Sequence, residues 1–346
     1  MQLFEMSNEQ RRIFINTAQL HEAYTDAYDK SRGYRGGMHW KKAKGREYLF
    51  RSRDRYGYGQ SLGPRSPETE AICGKFHENK KMLDDKLSEL RQKLREQARL
   101  CKAVKIVRAP RLVTAILRLL AQHNLMGRNL TVIGTNALYA YEASAGVFFE
   151  SGLTSTEDMD ILWDVRSRLR LLSLGRVDTS GLIGILRKAD KTFDPVSRKS
   201  FRAVNQAGYM VDLVKPEPRD LRAKEVRRMG DKEDLEAAEI RNLDWLVSSP
   251  KFTSTVIGED GFPASMTTPD PRAFALHKLW LGRQRDRNPI KKKRDQAQAR
   301  AVCQLILQYL PAYPFDPQEL KMFPKEIVAE ATAQLDASDL PPGYDD

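Results

Sequence analysis

Residues 131–164 read TVIGTNALYAYEASAGVFFESGLTSTEDMDILWD. An apolar run ends at Gly134-Thr135-Asn136, a helical stretch follows, and DMDILW then alternates acidic and apolar residues. Alternate residues of a strand share a face, so Asp158 and Asp160 point one way and Met159, Ile161 and Trp163 the other. Two carboxylates this close on an apolar strand repel each other unless a cation holds them. A hard divalent ion, Mg²⁺ or Mn²⁺, suits such a pair, because it takes oxygen ligands and leaves positions for water or phosphate oxygens.

Working outward, YMVDLV at 209–214 places Asp212 among apolar residues, where a charge needs a partner. If this strand neighbours the first, three carboxylates converge, enough for two metal ions. One ion binds a triphosphate and the other lowers the pKa of an attacking hydroxyl, with Asp212 as metal ligand and proton acceptor. Where the first strand runs into a helix, Gly134, Thr135 and Asn136 offer backbone N–H groups and a hydroxyl to phosphate oxygens. A glycine before a helix marks only a turn by itself; the acids downstream make it a candidate nucleotide site.

The 346-residue chain carries 58 Lys and Arg against 46 Asp and Glu, and a net charge of +12 points to a polyanionic partner or to a plainly basic surface. Most of that excess lies in residues 31–65, with ten basic residues against Glu47 and Asp54. Tyr34, Trp40, Tyr48, Phe50, Tyr56 and Tyr58 stand between them. Interleaved rings and cations can follow a nucleic-acid backbone while stacking on bases, which makes Lys41, Lys42, Arg46, Arg51, Arg53 and Arg55 candidate contacts. The equally weighted alternative is a twisted hairpin whose rings pack on the main domain and whose charges are solvated.

Cys73, Cys101 and Cys303 are far apart, with no CxxC and no histidine at ligand spacing, so neither a disulfide framework nor a structural zinc site is indicated. The chain has no apolar run of about 18 residues. The polar N-terminus lacks a signal-peptide pattern, so the expectation is an intracellular, cytoplasmic protein without a membrane partner.

In order, the chain predicts a helix over 8–30 and short strands over 38–43, 46–52 and 56–61. A long helix over 67–105 follows, with Leu83, Leu87, Leu90 and Leu94 as its apolar stripe, packed on its own domain or, less readily, in a coiled-coil dimer. A helix over 110–127, the strand NLTVIG, a helix through Ala145, a strand over 158–164 and a helix over 180–190 come next. A hairpin spans 201–216 and turns at 206–208; a charged linker leads to a strand-like segment at 242–257. Helices then cover 269–283, 289–310 and the PKEIVAEATAQL segment, and the tail is expected to be disordered.

The Gly turn, Asp-x-Asp and later lone Asp are similar to the DNA polymerase β-like nucleotidyltransferase superfamily, in which a Gly-Ser or Gly-Gly turn precedes Asp-x-Asp and a third acid follows on another strand. More closely, VIGTNALYAYEASAGV, TSTEDMDILWD, GMHWKKAKGREYLF, SLGPRSPETE and HKLWLGRQRDRNPIKKKRDQAQA resemble a bacterial family of nucleotidyltransferase-fold proteins, over about residues 30–310. Two features depart from the superfamily pattern: the turn is Gly-Thr, and the step from Gly134 to Asp158 is 24 positions, longer than the superfamily's usual interval, so the helix and loop between them carry an insertion.

The resemblance implies an α+β fold with a polymerase β-like core, a mixed sheet flanked by helices, over 108–220. An N-terminal extension over 1–107, a mostly helical region over 221–335 and a tail over 336–346 complete the division. It implies that the C-terminal helices cover a nucleotide, with Lys278 on the β and γ phosphates and Arg283 or Arg285 assisting; a solvated helix face is the alternative for those arginines. His277 reads as structural, and Lys291 to Arg294 as a basic cluster that either extends the anion-binding surface or is simply solvated, the usual case for a charge run at a helix start.

The function so implied is a Mg²⁺- or Mn²⁺-dependent transfer of NMP from an NTP, ATP among the substrates, to a hydroxyl, with an RNA 3′ end as one acceptor. The alternatives are nucleotidylation of a protein or small molecule, and a nucleic-acid-binding protein without turnover.

Overall fold

The strand bearing the paired acids, Asp158–Trp163, has a neighbour on each side in a mixed sheet. In the computed structural model, which describes residues 3–53, 58–166, 181–218 and 226–336, Leu130–Ile133 runs antiparallel to it and Met210–Pro216 runs parallel. Arg202–Val204 pairs antiparallel with the first residues of Met210–Pro216, with Asp194–Pro195 beyond it, and Ala238–Ile240 runs parallel to the last ones.

The period-two pattern explains both faces. Met159, Ile161, Trp163, Val211 and Leu213 are fully buried on one. On the other, each strand changes character half-way: Asp160 pairs with Asp212, and two residues on Leu162 pairs with Val214. Leu162, Val214 and Ile133 join a cluster with Leu246 and Leu276 of the C-terminal helices and with Phe323, just before the last of them. The expected core and C-terminal regions therefore share one apolar cluster, consistent with a single unit of residues 1–11 and 106–346.

Several elements differ from the sequence reading. The helix Arg111–Gln122 ends five residues before Gly127, because the chain reverses at Asn124, whose φ is 58°. Leu243–Ser248 is a helix and only Lys251–Ile257 is a strand, paired with Pro263–Pro269. Asn242 enters that helix at φ 63°, a break that an apolar count through 242–257 does not register. The charged linker is partly structural: buried Asp234 accepts hydrogen bonds from the backbone of Ile183 and Gly230, holding the start of the helix Gly181–Ala189. The 24-residue interval holds the helix Leu138–Ala145 and the strand Val147–Phe148, which pairs with Phe4–Glu5. Buried Glu142 anchors that interval by accepting from Arg108 and from the Phe149 N–H. The tail lies outside the described residues beyond Asp336. Among the described residues no helix is long and apolar enough to cross a membrane.

Residues 12–105 form a second unit. Leu87 and Leu90 of the helix Pro67–Ala103 pack against Ala27, Leu20 and Tyr24 of the helix Asn8–Ser31, so the stripe is satisfied within the chain and the coiled-coil alternative has no face left at these positions. Strands Gly37–Ala43, Arg46–Ser52 and Gly59–Pro64 form an antiparallel sheet. The first turn places Lys44 at φ 48° and Gly45 at φ 74°, the paired positive values a two-residue hairpin requires. The third strand starts later than expected, and Asp54 to Gly57, with Arg55 and Tyr56, lie outside the described residues.

Within this unit Tyr34 and Trp40 pack against Met38, Leu49 and Phe76. Several cations are engaged as well. Lys41 sits 3.5 Å above the Phe50 ring and Arg65 5.1 Å from that of Trp40. Arg51 lies 4.4 Å from the Phe76 ring and donates to the carbonyls of Gly33 and Gly37 at 3.0 and 3.2 Å. Burial, and secondarily the charge of Arg53, lower its pKa. Arg51 is therefore a strut of the hairpin and not a free phosphate contact; Lys42, Arg46 and Arg53 remain exposed.

Replacing Arg51 by Ala strands those carbonyls and uncovers Phe76, so thermal denaturation of the full chain should show a loss of about 1–3 kcal/mol. Lys42→Ala should stay within about 0.5 kcal/mol of the parent.

Candidate active site

The parallel register places Met210 beside Asp158 and Asp212 beside Asp160, so all three carboxylates come to one face of the sheet. They line a cavity of about 220 Å³. Burial, then the charges of Asp158 and Asp212, push the Asp160 carboxyl up to about 6, against the opposing pull of Lys278 and Lys291. Asp158 accepts a hydrogen bond from the Thr156 hydroxyl. Asp212, only 5% exposed, is held by Arg202, whose Nε and Nη2 meet its two oxygens at 2.7 and 2.6 Å.

The glycine turn serves these acids. Gly134 has φ +66°, and a Cβ there would collide with the Asp160 carboxylate. Its bareness admits the acid's own side chain, where the sequence reading reserved the space for a phosphate. Asn136 is not at the cavity: it is 1% exposed and its Nδ2 donates to the Asp158 carbonyl at 2.7 Å. The expected nucleotide contact is thus a brace for the Asp-x-Asp strand, since the 3₁₀ turn Gly134–Ala137 directs it inward. Thr135 lines the cavity, and its hydroxyl accepts from Gln298 at 3.1 Å, linking the turn to the helix Pro289–Tyr309.

The facing wall is basic. Phe274, His277, Lys278 and Leu281 recur at helical spacing on Pro271–Arg283 and all line the cavity. Lys278 Nζ donates to Asp295 Oδ1 at 2.7 Å, and Arg287 Nε donates to Asp295 Oδ2 at 2.8 Å. Asp295 is 2% exposed, so its buried charge fixes two cations at the cavity edge. Lys291 and Arg294 complete the wall, and Arg294 also donates to the Ser155 carbonyl.

Two expected contacts fall elsewhere. Arg283 is off the lining face of its helix and pairs with Glu330; Arg285 follows the helix end and is exposed. Arg287 takes the place proposed for them. His277 is buried, stacks on Trp280 at a centroid distance of 5.8 Å, and has its pKa lowered to about 3 by burial and then by Lys278.

Arg202 and Asp295 were not found from the sequence, although both left signals. Folding the 201–216 hairpin about Gln206–Gly208 pairs residue 202 with 212, and Asp295 is the lone acid in KKKRDQAQ.

Among the described residues no group of three or more His, Cys, Asp or Glu side chains is arranged to hold a metal ion. The expected three-carboxylate cage is thus not preformed, because Asp212 presents both oxygens to Arg202. Asp158 and Asp160 remain as hard oxygen donors whose repulsion a divalent cation would relieve.

With this geometry in place, comparison with known families is decisive: a family described as Nucleotidyltransferase matches residues 111–322. The chain belongs to the nucleotidyltransferase family. Neither curated proteins nor solved structures supply a match. The matched residues of this nucleotidyltransferase contain the acids, the glycine turn and the entire basic wall, while the basic hairpin lies before them.

Gly134→Ala should both destabilise the nucleotidyltransferase, by about 1–3 kcal/mol from positive φ and the collision, and displace Asp160, which thermal melting and a crystal structure would show. A second expectation concerns pH. A carboxyl whose folded pKa is raised stabilises the fold while protonated and loses that contribution as pH rises through about 6. Asp160→Asn should therefore exceed the parent in melting temperature at pH 8, with the difference shrinking as pH falls toward 4.

Proposed function

We propose that this nucleotidyltransferase moves a nucleoside monophosphate from an NTP to a hydroxyl, releasing pyrophosphate, in a core of the DNA polymerase β-like kind. The observation that carries this reading is the convergence of Asp158, Asp160 and Asp212 on one side of a cavity with Lys278, Arg287, Lys291 and Arg294 on the other. Such opposition of charge suits a triphosphate held by cations at one end with its reacting phosphorus near the acids.

Asp158 and Asp160 would hold Mg²⁺ or Mn²⁺, which when bound supplies Lewis-acid neutralisation of phosphate oxygens. Phosphoryl transfer depends on positioning and on positive charge placed where negative charge grows. Lys278 and Arg287, kept in place by Asp295, face the leaving pyrophosphate, and Lys291 and Arg294 widen that anion-binding surface. The apolar part of the wall, Ile240, Leu243 and Leu246, provides a dry side for the nucleobase.

A polyanionic acceptor such as an RNA 3′ end is favoured by the exposed Lys42, Arg46 and Arg53 of the N-terminal sheet and by Tyr58, 76% exposed. Incubation with each α-³²P-NTP, Mg²⁺ or Mn²⁺, and separate RNA, protein and small-molecule pools tests both parts. Label should enter RNA and vanish in the Asp158→Ala, Asp160→Ala double variant; label surviving in that variant removes the assignment. Neutralising Lys42, Arg46 and Arg53 together should weaken RNA labelling and flatten its salt dependence. Label in the protein or small-molecule pool would move the acceptor to that class.

A further inference from the structure

Arg202 reaches Asp212 from the sheet itself. The antiparallel register sets it directly opposite, on Arg202–Val204, so the contact is built into strand pairing and does not depend on a loop. Both guanidinium nitrogens that face Asp212 are used, in the fork geometry suited to a carboxylate. Arg202 lines the same cavity as Asp158 and Asp160, and its pKa is raised first by Asp212 and then by the charges of those two acids.

A guanidinium is charged at every accessible pH, and bringing Asp212 to 5% exposure without a partner would be costly. A second divalent ion on Asp212 would have to displace this fork and share the cavity with it.

Resting on the cation proposed above for Asp158 and Asp160, we infer that the site takes a single divalent ion on those two acids, and that Arg202 occupies Asp212 where a second ion would otherwise bind. One divalent ion and one guanidinium then balance three carboxylates, leaving the opposite wall free for phosphate charge. Arg202 is a positioning residue in this scheme: it keeps Asp212 oriented and limits the number of ions.

Mn²⁺ binding to the full chain, followed by the electron paramagnetic resonance signal of free Mn²⁺, reads this without turnover. The parent should bind one Mn²⁺ per chain. Asp160→Asn should weaken binding about tenfold or more, whereas Asp212→Asn should stay within about threefold. Arg202→Gln should tighten binding about tenfold or add a second Mn²⁺, and Arg202→Lys, which keeps charge without the fork, should fall between.

Two ions in the parent, a loss in Asp212→Asn equal to that in Asp160→Asn, or an Arg202→Gln variant with unchanged affinity and number would each overturn the inference while leaving a cation at Asp158 and Asp160 intact. Equal, weak binding by parent and Asp160→Asn would instead remove the cation from the proposed function and this inference with it. Thermal melting identifies the folded variants; if Asp212→Asn does not fold, the ion count of Arg202→Gln and Arg202→Lys decides.

Discussion

Two carboxylates on adjacent parallel strands, Asp160 opposite Asp212, with Asp158 on the same face, set the constraint around which this molecule is built. Like charges at that spacing raise one another's proton affinity and oppose folding unless something answers them. The sheet supplies the first answer through Arg202, which comes from the neighbouring antiparallel strand. The second is field from the helices across the cavity, visible in the opposing effects of Lys278 and Lys291 on Asp160. The bare Cα of Gly134 provides room for the Asp160 carboxylate to lie beside the turn.

The C-terminal helices serve the core and the site together because the acid face of the sheet is only half acidic. At Leu162 and Val214 it is apolar and sealed by Leu246, Leu276 and Phe323; at Asp160 and Asp212 it is open. The cavity is the space left where that apolar packing stops, so the basic wall is carried by the two helices Pro271–Arg283 and Pro289–Tyr309, which also contribute to that apolar cluster, and by the turn between them. Buried Asp295 makes the arrangement specific by engaging Lys278 and Arg287 at once. A cation held in this way loses little freedom when an anion arrives, which is the advantage of a preorganised electrostatic site.

Much of the fold was legible where local periodicity agrees with tertiary packing. The stripe of Leu83, Leu87, Leu90 and Leu94, the alternation in DMDILW and the turn at 206–208 each encode an element whose buried face is the face the pattern marks. The reading failed at 242–257, where an apolar run contains both a short helix and a strand, at Ala238–Ile240, whose partner Met210–Pro216 lies far back in the chain, and at Pro263–Pro269, whose sequence PASMTTP carries a weak β signal. The aromatic, basic stretch at 31–65 shows another limit. Composition put Arg51 and Arg53 in one class, yet one donates to carbonyls of its own sheet and the other is exposed.

Residue order by itself determined the acidic face of Asp158 and Asp160, the glycine turn at 134 that precedes them, and the family, because each follows from spacing along one element or from a matched motif. Only the tertiary structure decided that Asp212 lies beside Asp160, that Arg202 and not a third open ligand position occupies it, that Asn136 braces a strand, and that Arg287 replaces Arg283 and Arg285 at the cavity. Those outcomes depend on register between strands and on which buried charge each cation can reach. Both are properties of packed pairs, and neither is carried by any single segment of the chain.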